Sequence, residues 1–171
     1  MQKQETEKQF EQHIKENELL IYKVCRIYAY TAADREDLFQ EIIVQLWKSV
    51  PKFQGQSKFS TWVYRVALNT AISDFRKKKR SVPVSSTEGA SIEIGQEPGN
   101  DIEKHEQADA LYAAISQLTE IDKAIVMLYL ENKSYEEMED ILGISQGTLR
   151  VKMTRIKEKL RQLAKKIDYG T

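Results

Sequence analysis

Through the first eighty residues, apolar positions return every three or four residues. Ile14, Ile21, Val24, Cys25 and Tyr28 fall on one stripe of an amphipathic helix. A second stripe, Leu38, Ile42 and Leu46, with Phe39, Ile43 and Trp47 beside it, predicts another helix. Asp34 is placed to cap it, with acidic residues in the first turn where the helix dipole favours them. Pro51 and Gly55 end it. After a short loop, Ser49–Lys58, a third helix is predicted from near Ser60 to about Lys79. There Val63, Val66, Ala67 and Thr70 face inward, and Arg65, Asn69 and Lys77 can point out.

The segment Ser81–Glu103 breaks this rhythm. It shows no helical period and holds two of the three Pro and three of the seven Gly. Too little apolar surface is present to offset the entropy of ordering, so a flexible connector is expected. Helical spacing then resumes with Leu111, Ile115 and Leu118, followed by Thr119 as a cap and by Ile121, Ile125 and Leu128. Ser134-Tyr135-Glu136-Glu137 is a capping box ahead of Met138, Ile141 and Leu142, and Gly143 suits the left-handed turn that stops such a helix. Ser145 caps a last helix in which Leu149, Met153, Ile156, Leu160 and Leu163 repeat at 4-3-4-3 spacing. The expected fold is all-α: two small helical bundles, residues 1–80 and 106–171, joined by an acidic linker over 81–105.

Charge changes the picture next. The 171 residues carry 26 basic and 26 acidic side chains, but the balance is segregated. Residues 1–80 have 15 basic against 10 acidic, and 81–105 have one against five. Residues 106–144 have two against nine, and the remainder eight against two. Two basic stretches, Arg76–Arg80 and the run from Arg150 to Lys166, are thus set apart by acidic material. A single Cys and two His supply neither an internal disulfide nor a structural zinc set. No apolar run reaches the roughly 20 residues that cross a bilayer, and the polar start is unlike a signal peptide, so a cytoplasmic protein is expected.

Three constellations could carry chemistry. Residues Tyr135–Lys159 have the helix-turn-helix pattern: a capped short helix, a turn with Gly143, and a longer basic helix. In that motif the leading end of the second helix meets base edges, and here it holds Gln146, Thr148, Arg150 and Lys152, with Arg155 one turn on. Gln and Arg can read adenine and guanine bidentately, whereas Thr and Lys more often hold phosphate. A plain helical hairpin with solvated charges is the competing reading. Phe53, Phe59, Trp62, Tyr64 and Phe75, interleaved with Lys52, Lys58, Arg65 and Arg76–Arg80, form the second constellation. Aromatic platforms with cations suit single-stranded nucleic acid, but Phe59, Trp62 and Phe75 taken singly read first as core, which leaves the loop Ser49–Lys58 as the expected contact. Asp34, Glu36, Asp37 and Glu41 are a third, acidic group. With no nearby His, nucleophile or phosphate-binding glycine loop, no catalytic role, metal or cofactor is expected. Cys25 reads as a core thiol.

The tracts DREDLFQEIIVQLWKS (Asp34–Ser49) and KFQGQSKFSTWVYRVALNTAISDFRKKKR (Lys52–Arg80) resemble region 2 of the extracytoplasmic-function (ECF) sigma factors. ISQLTEIDKAIVMLYLENKSYEEMEDILGISQGTLRVKMTRIKEKLR (Ile115–Arg161) resembles their region 4. The resemblance implies a two-domain sigma factor that guides RNA polymerase core to promoters and helps open them. It implies core binding, on the clamp helices of the largest subunit, for Asp37, Leu38, Gln40, Glu41 and Trp47. Contact with the −10 element is implied for Phe53, Lys58, Trp62, Tyr64, Arg65, Asn69 and Arg76. Contact with the −35 element is implied for Gln146, Thr148, Arg150, Lys152, Met153 and Arg155. Promoter DNA, the polymerase flap and an anti-sigma factor are the further partners the resemblance implies. The chain departs from the family at Met138–Glu139, where Ile/Val–Ala is common, and at Met153, where Leu or a basic residue is more usual. A stand-alone helix-turn-helix regulator is the alternative, and it leaves the first module without purpose. A helical protein-interaction adaptor would account for neither basic run.

Overall fold

In the computed structural model the backbone is described over residues 2–81 and 102–169, and the side chains over 4–81 and 106–166. Among these residues there are seven α-helices and no strand. They divide into two compact units, one of three helices and one of four.

The first unit comprises α1 (Gln2–Tyr28), α2 (Ala32–Ser49) and α3 (Phe59–Ser81). Its core is the set of stripes predicted by spacing. Ile21, Val24 and Cys25 of α1 are fully buried, as are Ile42 and Leu46 of α2 and Val63, Ala67 and Ala71 of α3. Ile14, at the N-terminal end of the first stripe, is only half-buried. The start of α2 corrects one expectation: the helix begins at Ala32, so Asp34 lies in its first turn and is not the cap. There its carboxylate still complements the helix dipole, and it also meets the Lys78 ammonium of α3 at 3.6 Å. Beyond Ser49 the chain tightens into one 3₁₀ turn, Val50–Lys52, with Pro51 where its missing N–H costs nothing. Gly55 then takes a left-handed conformation, φ 70°, in the loop leading to α3.

The second unit comprises α4 (Ile102–Ser116), α5 (Glu120–Leu130), α6 (Tyr135–Leu142) and α7 (Gln146–Tyr169). Each short helix is bounded by the residue type its ends require. Thr119 accepts a hydrogen bond from the Asp122 amide at the head of α5. At α6 both halves of the capping box form: the Glu137 amide donates to Ser134 Oγ at 3.1 Å, and the Ser134 amide to the Glu137 carboxylate at 2.8 Å. Gly143 closes α6 at φ 70°. Met138 is fully buried and Glu139 half-buried, so a thioether fills the place of the branched residue common in the family. Ala114, Ile115, Leu118, Ile125, Leu128, Ile141, Leu149 and Ile156 complete the core, but Leu111, expected in the α4 stripe, is 40% exposed.

The connector expected over 81–105 lies outside the described residues, except that Ser81 ends α3 and the backbone of 102–105 belongs to the start of α4.

Candidate nucleic-acid interface

On α2 the apolar stripe is turned inward, and this fixes what the opposite side shows. Asp37, Gln40 and Glu41 are exposed, and Trp47 keeps 41% of its surface while its ring meets Phe10 edge-on at 4.9 Å. Val44, 42% exposed, shares their face at helical spacing. The sequence reading does not single it out, although its register, three and four residues from Glu41 and Gln40, places it on this outward face. Leu38, grouped by resemblance with the polymerase-binding residues, is 2% exposed. It is a core residue here and presents no surface for a partner.

The α2–α3 side of the first unit encloses an open polar groove of about 700 Å³. Asp37, Glu41 and Gln45 line one wall; Asn69, Ser73, Asp74 and Lys77 line the other. It thereby brings Asp37 and Glu41 close to Asn69, which the family resemblance assigns to a different partner. Lys78 spans Asp74 at 3.2 Å and Asp34 at 3.6 Å across the same groove.

The aromatic constellation separates into core and rim. Trp62 and Tyr64 are 8% and 4% exposed, so neither ring is free to take up a base in this structure. Phe53 and Phe59 are half-buried and pack with Trp62 at 5.2 Å each, and with one another at 5.5 Å. His13 of α1 lies over Phe59 at 4.6 Å. What the loop and α3 offer outward is Lys58, Arg65, Asn69 and Arg76, all exposed. Cys25 lies at the bottom of this unit, where burial pushes its thiol up to about 12 despite opposing hydrogen bonding and the Arg35 charge. It carries no surface chemistry.

In the second unit the helix-turn-helix forms as predicted. Leu149, Met153 and Ile156 pack inward, leaving Thr148, Arg150 and Arg155 exposed and Gln146 and Lys152 half-buried. The Ser145 hydroxyl caps α7, accepting from the Thr148 amide at 3.4 Å and donating to the Thr148 hydroxyl at 2.9 Å. Met153, expected to reach DNA, is 3% exposed and belongs to the core. Two constraints were not foreseen. The Arg150 guanidinium lies over the Tyr135 ring at 5.0 Å, and Lys152 faces the Asp122 carboxylate at 3.9 Å. The first crosses the turn between the consecutive helices α6 and α7 and the second joins α7 to α5, and in neither case does a local spacing pattern announce the contact. Among the described residues no cluster of His, Cys, Asp or Glu could hold a metal ion, and no helix is long and apolar enough to cross a membrane.

A capped, cation-bearing helix held by a glycine turn defines a duplex-DNA-reading unit, here in one chain with a separate three-helix unit. Comparison with known proteins gives the family. Residues 13–81 match Sigma-70 region 2, and residues 108–160 match Sigma-70, region 4. The chain is 30% identical to the ECF RNA polymerase sigma-E factor of Escherichia coli, covering 74% of this chain and 72% of that protein. It is 29% identical to the ECF RNA polymerase sigma factor SigW of Bacillus subtilis, over 83% and 81% of the two chains. Its fold is that of the sigma factor RpoE solved in complex with the anti-sigma factor NepR from Bartonella quintana. That match has a TM-score of 0.72 and 21% identity, covering 92% of this chain and 98% of that one.

The chain belongs to the ECF sigma factors of the sigma-70 family. It is an RNA polymerase sigma factor, a subunit that brings core polymerase to promoter DNA and assists initiation there. The region 2 match accounts for the module that a stand-alone regulator would leave without purpose.

Proposed function

We propose that the two units divide the work of promoter recognition between them. In this reading residues 1–80 hold the polymerase clamp helices and the opened −10 strand, and residues 106–171 grip the −35 element as duplex, beside the polymerase flap. Polymerase core engages the outward face of α2 through Asp37, Gln40, Glu41 and Trp47. The −10 strand is followed by Lys58, Arg65, Asn69 and Arg76, with Phe53 at the edge of its aromatic cluster. The upstream element is met by Gln146, Thr148, Arg150, Lys152 and Arg155. Leu38, Trp62, Tyr64 and Met153 act beneath these surfaces, as the packing that sets their shape.

The observation that carries this reading is the outward face of α7. Thr148, Arg150 and Arg155 are exposed opposite a closed core, directly after a helix fixed at both ends by its capping box and Gly143. A rigid helix presenting donors at one end is what base reading in the major groove requires. Neither unit has to bind DNA tightly alone, because a shared polymerase frame makes the second contact intramolecular. Opening the strand costs a few kcal/mol per base flipped out, and the polymerase-bound unit captures what is released. The chain works without bond chemistry of its own, in the cytoplasm, and an anti-sigma factor holds it idle until it is released.

Runoff transcription with purified core polymerase on a library of randomised promoters tests the reading. Initiation from templates sharing two spaced elements is expected. No initiation from any template would overturn it. Changing Gln40 and Glu41 together to Ala is expected to abolish core binding while the second unit still folds.

A further inference from the structure

Among the described residues, Val151 is the large apolar side chain that α7 exposes among its cations. Val151 is 53% exposed, with Arg150 and Lys152 on either side in sequence. Leu149, Met153 and Ile156 close the opposite face, so Val151 sits at the middle of the exposed one. Its neighbours one turn away are Gly147, Thr148, Thr154 and Arg155. The approach is open as well: a Cβ added at Gly147 would meet nothing within 4 Å. A β-branched residue gains nothing for helix stability on a solvated face, where long polar side chains do better. Isolated exposed apolar residues are common on protein surfaces. Val151 differs from them in its setting, at the centre of a cation-rimmed face that its own unit leaves uncovered.

An apolar side chain surrounded by cations fits a surface that is polyanionic at its edges and apolar at one point. Duplex DNA offers that in the major groove, where thymine alone presents a methyl group, at C5, between flanking phosphates. We infer that Val151 is a specificity-determining residue that packs on the C5 methyl of a thymine in the upstream duplex element. The inference rests on α7 being the recognition helix. Within that reading it adds a base preference that Gln146 and Arg150 do not supply, since those side chains read hydrogen-bonding edges. The flanking cations weigh against an apolar protein surface as the occupant.

The test uses the full chain bound to purified core polymerase. Upstream elements are first selected from a randomised library, and each thymine of the selected element is then replaced singly by deoxyuridine, which differs only in lacking the methyl. One thymine is expected at which deoxyuridine weakens promoter binding about three- to five-fold, the scale of burying one methyl. Val151→Ser is expected to bind thymine and deoxyuridine equally at that position and to lose the preference for thymine in a repeated selection. A selected element indifferent to every thymine methyl overturns the inference, as does a methyl effect that survives in V151S. Either result leaves the recognition-helix reading standing. If the wild-type holoenzyme selects no upstream element at all, that reading falls and this inference with it. A V151S variant that selects as wild type but loses binding to another protein would assign the valine to a protein contact and likewise overturn it.

Discussion

The guanidinium of Arg150 rests on the face of Tyr135 at 5.0 Å, joining the first residue of α6 to the leading end of α7. The contact crosses the turn at Gly143. A planar cation stacked on a ring loses part of its rotamer freedom before it meets DNA, which lowers the cost of placing it against a base. Under the proposed reading of α7, Tyr135 then serves as a positioning residue for Arg150.

Replacing Tyr135 by Leu removes the ring and is expected to weaken binding to the preferred upstream element about two- to five-fold, the value of an exposed cation–π contact. Binding to unrelated DNA should change little. Tyr135→Phe keeps the ring and should restore wild-type discrimination, which fluorescence anisotropy on the two DNAs would measure. Equal losses in Y135L on both DNAs would mean that Tyr135 serves phosphate contact or folding.

Lys152 and Asp122 form a second junction, with the ammonium 3.9 Å from a carboxylate that is largely sheltered. A lysine occupied in this way must share its charge between an internal partner and the phosphates. Asp122→Asn is expected to strengthen non-specific DNA binding at low salt. The slope of log K against log salt should steepen by about 0.9, one more phosphate neutralised. The substitution also removes an acid from the first turn of α5, so thermal unfolding should show a loss of about 0.3–1 kcal/mol.

Leu38 and Trp47 lie on one helix, and the same family resemblance groups them, but the structure gives them opposite situations. Leu38 is 2% exposed and Trp47 41%. Leu38→Ala should therefore cost about 2–5 kcal/mol of stability, seen as a lowered melting temperature. Trp47→Ala should melt near wild type and weaken core-polymerase binding by about thirty-fold, as an aromatic anchor does. Unchanged core affinity in W47A would remove Trp47 from the contact surface.

Cys25 makes a pH prediction. Burial raises its thiol from 9.0 to about 12 in the folded chain, so between these values the folded state holds a proton that the unfolded state has released. That contribution to stability is complete below about pH 9 and is lost as pH rises toward 12. Urea titrations across this range should give a falling midpoint, and Cys25→Ala should have the shallower fall. Below pH 9 the native thiol should resist a disulfide reagent until the protein is unfolded.

Several features were legible from a few neighbouring residues each. The capping box at Ser134, the Thr119 cap and the left-handed Gly143 are local hydrogen-bonding or steric solutions, written within three or four positions. Helical spacing located all seven helices, but it did not give the start of α1, which runs from Gln2, twelve residues ahead of the first residue of its stripe, Ile14. The cap of α2 was misplaced at Asp34 because acidic side chains suit both a cap and a first turn, and sequence does not separate the two. The surface roles of Trp62, Tyr64 and Met153 came from the family resemblance. Their spacing already allowed Trp62 a core place and put Met153 in the apolar stripe, and all three are buried. A helix of this composition has more apolar residues than one face can bury, so which of them stay outside depends on how the helices cross.

By itself, the sequence of this protein determined the helical class, the division into two modules, the turn and caps of the DNA-reading motif, and the segregation of charge. These rest on periodicity and short-range hydrogen bonds, which act between residues close in the chain. Only the tertiary structure decided that Arg150 lies on Tyr135, that Lys152 meets Asp122, and that Trp62 and Tyr64 are both buried. Those outcomes depend on close packing between helices, where a shift of a few ångströms exchanges a buried side chain for an exposed one.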